Sequence, residues 1–137
     1  TALFGGSTVL HMKKTLVVLL FVVAIAACKT AVVTPEGTEA GWSTAEGVLR
    51  AQLGASMTDV VNATTATLTD LELVGIDSTV DQLKGKITAR LAVGTKVKIH
   101  LESTGFDTTA IKIKVGTWGD RSISLQILRD IEKRLAQ

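Results

Sequence analysis

Three stretches decide how this chain folds: Lys86–Val93 (KITARLAV), Lys96–Glu102 (KVKIHLE) and Ile111–Val115 (IKIKV). In each, apolar and polar residues alternate. Ile87, Ala89, Leu91 and Val93 alternate with Lys86, Thr88, Arg90 and Ala92. Val97, Ile99 and Leu101 alternate with Lys96, Lys98, His100 and Glu102, and Ile111, Ile113 and Val115 with Lys112 and Lys114. Successive side chains of a strand point to opposite faces, so the pattern predicts an antiparallel sheet with one buried face and one solvated face. Gly94-Thr95 and Thr104-Gly105-Phe106-Asp107 supply the turns between these strands. A three-residue loop topped by Gly94 keeps both apolar sets on one side. It sets Ala92 opposite Lys96, Arg90 opposite Lys98 and Thr88 opposite His100. The same parity in the next hairpin brings Lys98 near Lys114 and His100 near Lys112. The solvated face then gathers Lys86, Arg90, Lys96, Lys98, His100, Lys112 and Lys114, diluted mainly by Glu102.

Working outward, Val48–Leu53 alternates in the same way, with Leu49, Ala51 and Leu53 on one face. Ser56 is a fair helix N-cap, and Asp59 three residues on suits the positive end of the helix dipole. Met57, Val60, Val61, Thr64, Leu68 and Leu71 then form one helical stripe. The threonines around them are weak helix formers, so packing must carry this helix. Glu72–Ile76 reads as a short strand. A last helix opens near Asp120 or Ser122, its apolar stripe being Ile123, Ile127, Leu128, Ile131 and Leu135, with Lys133 and Arg134 in the final turn. The expectation is an α+β two-layer sandwich, order β-α-β-β-β-β-α, with a sheet of four to five strands against two helices.

Upstream the chain changes character. Met12-Lys13-Lys14 is a short positive segment, followed by the apolar or small run Thr15–Ala27. As a helix those thirteen residues span about 20 Å, too short for a ~30 Å hydrocarbon core but suited to a signal peptide. Ile25-Ala26-Ala27-Cys28 follows, and it resembles the bacterial lipobox, an aliphatic residue and two small ones before cysteine. That resemblance implies a lipid on the Cys28 thiol, cleavage before it and acylation of the new amino terminus, hence firm membrane anchoring. Lys29, where an aspartate would favour the inner membrane, leans the address toward the outer membrane of a Gram-negative cell. The chain therefore divides into an upstream extension or gene-prediction artefact (1–11), a signal peptide (12–27), a lipidated cysteine and flexible tether (28–45) and an α+β domain (46–137).

Charge is segregated. Setting aside Lys13 and Lys14, the chain from Cys28 carries 13 basic and 13 acidic residues. From Cys28 to Asp81 eight acids face only Lys29 and Arg50, whereas Gln82–Gln137 holds eleven bases against five acids. Like charges opposed across strands cost stability, so this concentration on one sheet face points either to an acidic partner or to a solubilising face whose lysines deter edge pairing. Catalytic signatures are missing: no HExxH, no Gly-x-Ser-x-Gly, no phosphate loop. Cys28 is the only cysteine, which excludes an internal disulfide and a cysteine-rich metal site. No cofactor, metal or nucleic acid is expected.

The late motif Ile111-Lys112-Ile113-Lys114-Val115-Gly116-Thr117-Trp118-Gly119-Asp120, with Ser122, Ile127-Leu128, Ile131 and the earlier Gly94-Thr95-Lys96-Val97, resembles an uncharacterised (domain-of-unknown-function) family of small bacterial envelope lipoproteins. The likeness covers roughly Gly47 to Leu135 and implies the fold and the address, with no activity. Within the motif, Gly116 can end a strand, Gly119 can supply positive φ, Asp120 can cap the helix, and Trp118 is expected to plug the sheet–helix junction. The expected role is a non-catalytic, membrane-anchored binding or structural module of the envelope, facing the periplasm. The alternative is a periplasmic ligand-binding or enzymatic domain using the Trp118 loop.

Overall fold

The computed structural model describes residues 31–33 and 39–137. The signal-peptide segment, Ile25-Ala26-Ala27 and Cys28 lie outside the described residues. Within them the chain is α+β, with one antiparallel sheet and two helices. In chain order the elements are β1 (Ala31–Val33), β2 (Glu39–Ser43), β3 (Val48–Leu53), α1 (Met57–Asp70), β4 (Val74–Val80), β5 (Lys84–Arg90), β6 (Lys96–Gly105), β7 (Thr108–Val115) and α2 (Arg121–Leu135). The sheet runs β1-β2-β3-β7-β6-β5-β4. Six strands have five residues or more, and β1 adds three residues at one edge.

Alternation places most of the core where the sequence pattern predicts, although the first stretch ends at Arg90 and Val93, expected on the apolar side, is 85% exposed in the loop. Ile87, Ala89, Val97, Ile99, Leu101, Ile111, Ile113 and Val115 are buried, as are Leu49, Ala51 and Leu53. The helices cover this face, α1 over β4–β7 and α2 over β3 and β7, packed on one another and tied by the Arg134–Asp70 ion pair. The Ser56 hydroxyl accepts the Asp59 N–H at 3.3 Å and starts α1, and the Asp120 carboxylate accepts the Ile123 N–H at 3.0 Å and starts α2. Thr65 and Thr69 donate their hydroxyls to carbonyls one turn back. Those of Thr64 and Thr67 are buried without a hydrogen-bond partner, a cost that the apolar packing around them must offset.

The structure corrects four expectations. The four- to five-stranded sheet is larger, because the segment expected to be a tether contains β1 and β2. Glu39–Ser43 pairs with β3 through a tight hairpin, closed where the Gly47 N–H donates to the Ser43 carbonyl at 2.8 Å. Its apolar signal is only Ala40 and Trp42 around Gly41, too short to stand out. The strand expected at Glu72–Ile76 begins two residues later, after Glu72 turns in a left-handed conformation (φ 59°), and runs to Val80, irregular between Val74 and Asp77, where Gly75 has positive φ (61°). The β5–β6 loop is Leu91–Thr95, closed by the Leu91 N–H on the Thr95 carbonyl at 2.9 Å. Arg90 therefore faces Lys96, Thr88 faces Lys98 and Lys86 faces His100. This two-residue shift preserves every side chain's face.

The fourth correction concerns Trp118, which plugs nothing and is 90% exposed. Beside it, the β2–β3 turn and the β7–α2 loop meet main chain to main chain. A Cβ on Gly47 would lie 2.0 Å from the Trp118 carbonyl oxygen, and one on Gly119 2.1 Å from that of Gly47. Both glycines have positive φ (62° and 83°). Two loop backbones cross in direct contact there, and the indole is left in solvent.

Candidate functional site: a basic sheet face

The face of the sheet turned away from the helices is built from the alternate residues of four strands. Register aligns its cations in rows. Arg90 stands opposite Lys96, and Lys98 opposite Lys114. The longest row crosses β5, β6, β7 and β3: Lys86, His100, Lys112 and Arg50. Directly opposed residues bring their Cβ atoms within about 5.5 Å, close enough for each charge to feel the next. A last row, Lys84, Glu102, Ala110 and Gln52, ends the basic zone with a carboxylate and a small residue.

All seven residues singled out from sequence (Lys86, Arg90, Lys96, Lys98, His100, Lys112 and Lys114) lie on this face, and all but the half-buried Lys114 are exposed. Arg50 belongs with them and carries no such signal in the sequence. Its place between Leu49 and Ala51 puts it on the solvated side, but its neighbour Lys112 is sixty-two positions away. It is also the cation with a partner. Glu46, in the β2–β3 turn, pairs with it. The hydrogen bond and charge of Arg50, aided by Lys112 and Lys114, lower the Glu46 carboxyl below its ordinary range.

An open groove of about 490 Å³ runs over the last two rows. Ala110 leaves its floor low, while Lys86, His100, Lys112 and Glu102 stand around it. Asp81 fixes one rim, accepting the N–H groups of Leu83 and Lys84 at 2.8 and 2.7 Å, which lower its own carboxyl pKa. At the centre, His100 is shifted below its ordinary value, first by partial burial and then by Lys86, Lys112 and Lys98. The arrangement favours a bound anion and disfavours imidazolium in its absence. Among the described residues no three His, Cys, Asp or Glu are grouped to hold a metal ion.

The Trp118 loop is a separate place. Gly116 follows β7 with its N–H on the Lys96 carbonyl at 2.8 Å, Gly119 makes the crossing with Gly47, and Asp120 caps α2. Trp118 is too exposed to be enclosed by a pocket, and His100 lies on the sheet, away from this loop.

The profile of a family described as "protein of unknown function (DUF3568)" matches residues 12–134. Among curated proteins, none matches the chain.

Proposed function

The chain belongs to the DUF3568 family of proteins of unknown function, and we propose its role from its own residues. It is a non-catalytic binding module of the bacterial cell envelope, anchored through a lipid on Cys28, that meets an acidic partner with its basic sheet face. The observation that carries this reading is the row Lys86–His100–Lys112–Arg50, reinforced by Lys98–Lys114 and Arg90–Lys96. A face selected only for solubility gains nothing by opposing like charges, each contact costing a few tenths of a kcal/mol. An acidic surface docked along the rows turns that cost into attraction, and the groove beside them admits a projecting carboxylate or phosphate. The anchor is supported by the lipobox-like Ile25-Ala26-Ala27-Cys28, and the family match includes that segment. The expected location is the periplasmic side of the envelope, at the outer membrane in a Gram-negative cell.

The test is site-specific photo-crosslinking in cells, with the reactive residue at Lys112 and a control at Arg129 on the outer side of α2. A discrete adduct at Lys112, absent at Arg129 and lost on Lys98→Glu with Lys114→Glu, is expected. Equal or absent adducts at the two positions would remove the basic face from the reading.

A further inference from the structure

Two loops at one end of the sheet carry large apolar side chains into solvent: Val93, 85% exposed, and Trp118, 90% exposed. The loops touch, since the Gly116 N–H donates to the Lys96 carbonyl and a Cβ on Gly116 would lie 3.3 Å from the Thr95 methyl. Val74, 58% exposed, begins β4 at the same end, opposite Arg90. Cations flank the tips on both layers, Arg90 and Lys96 on the sheet and Arg121 at the start of α2. The nearby carboxylates are Glu72, Glu46 paired with Arg50, and Asp120 capping α2. An exposed indole beside cations is the composition of a membrane–water interface.

Exposed apolar tips alone do not choose an end. The opposite one carries Phe106, 95% exposed, and Leu83, 66% exposed. What separates them is the direction of β1. Ala31 pairs with Gly41 and Val33 with Glu39, so β1 runs away from the Trp118 end. Ala31 stands in the row of Gly41, Arg50 and Lys112. Cys28 is three residues before Ala31, and three extended residues cover about 10 Å. That is the length of Lys112 to Val115, the last residue of β7 at the Trp118 end. The Phe106 turn lies six residues from Lys112 in the other direction, about 20 Å along an extended strand. A chain that first had to reverse could not cover that distance in three residues.

We propose that the domain meets the bilayer with the end that carries Trp118 and Val93, whose side chains seat in the phospholipid headgroup region. The strands stand roughly along the membrane normal, and the Phe106 turn points away from the bilayer. The inference rests on the anchor at Cys28 proposed above.

Bromolipid quenching of tryptophan fluorescence tests it, with protein purified from membranes and reconstituted in phosphatidylethanolamine–phosphatidylglycerol vesicles. The chain has two tryptophans, so Trp42→Phe leaves Trp118 as the only reporter. Adding Trp118→Phe and Phe106→Trp moves the reporter to the other end. Quenching roughly twofold or more stronger at Trp118 than at Phe106→Trp is expected, as for an interfacial indole, and Val93→Asp should weaken it. Equal quenching at the two ends, or stronger quenching at Phe106→Trp, overturns the proposal and leaves the anchor standing. The anchor is read separately, from the mass of the Cys28 peptide. If that peptide carries no lipid, the anchor fails. The chain is then coupled through Cys28, its only cysteine, to a maleimide phospholipid in the same vesicles, and the quenching comparison decides the surface unchanged.

Discussion

His100 stands where partial burial and three lysines resist its protonation: Lys86 across on β5, Lys112 across on β7 and Lys98 on its own strand. Its pKa in the fold is below the ordinary 6.5. The unfolded chain therefore binds a proton at a pH where the folded chain still resists it. The contribution of neutral His100 is fully present above that value and is lost as pH falls below it. Between about pH 7.5 and about pH 5.5, the urea midpoint should decline in the wild type and decline less in His100→Gln. Glu46 and Asp81, both shifted down, act only at lower pH. An anion in the groove reverses the sign for binding: it raises the histidine's pKa, so affinity should rise as pH falls through the same window. An identical decline of the midpoint with pH in the two proteins would show that neither burial nor the lysines hold the imidazole neutral.

At the scale of elements, the crossing of the β2–β3 turn and the β7–α2 loop leaves the least room around any described glycine. Gly119 must accept both a left-handed backbone and contact with the main chain of Gly47. Gly119→Ala should therefore lose about 3 kcal/mol or more in urea unfolding, combining left-handed strain with a steric clash. Gly54, just after β3, has open space where a methyl group would sit, with nothing within 4 Å, and no positive φ. Gly54→Ala should stay within about 0.5 kcal/mol of the wild type. Similar losses for both would mean that the crossing can open without cost. The caps belong to this scale too, and both are placed by local sequence, Ser56 ahead of α1 and Asp120 ahead of α2.

For the molecule as a whole, charge is separated by surface as well as by sequence. The basic rows repel one another on one side of the sheet, and among the described residues Glu46 forms an ion pair with one member, Arg50. Raising sodium chloride from about 20 mM to about 300 mM shortens the Debye length from roughly 20 Å to under 10 Å and should relieve that repulsion. Stability measured by urea should rise by a few tenths of a kcal/mol, with Lys98→Glu plus Lys114→Glu abolishing the gain. The same salt should weaken capture of the acidic partner. A wild type that loses stability as salt is added would show that the two surface ion pairs outweigh the rows.

What could be read in the sequence is what depends on neighbours along the chain. Alternation in Lys86–Arg90, Lys96–Glu102 and Ile111–Val115 marks the buried and solvated faces, and a two-residue shift in the first hairpin leaves them unchanged because an even shift preserves parity. The N-caps and both apolar stripes are equally local. β2 carries no legible period, since only two apolar residues flank Gly41, and it exists as a strand through its pairing with β1 and β3. Arg50 joins the basic row through a strand contact spanning sixty-two positions, which no local pattern encodes. Trp118 is exposed beside a crossing of two loop backbones, a contact between residues some seventy positions apart that no local pattern encodes. Covalent order determined which face of each strand is wet; only the tertiary structure decided which strands lie side by side and where an indole has room, since both depend on contacts between residues far apart in the chain.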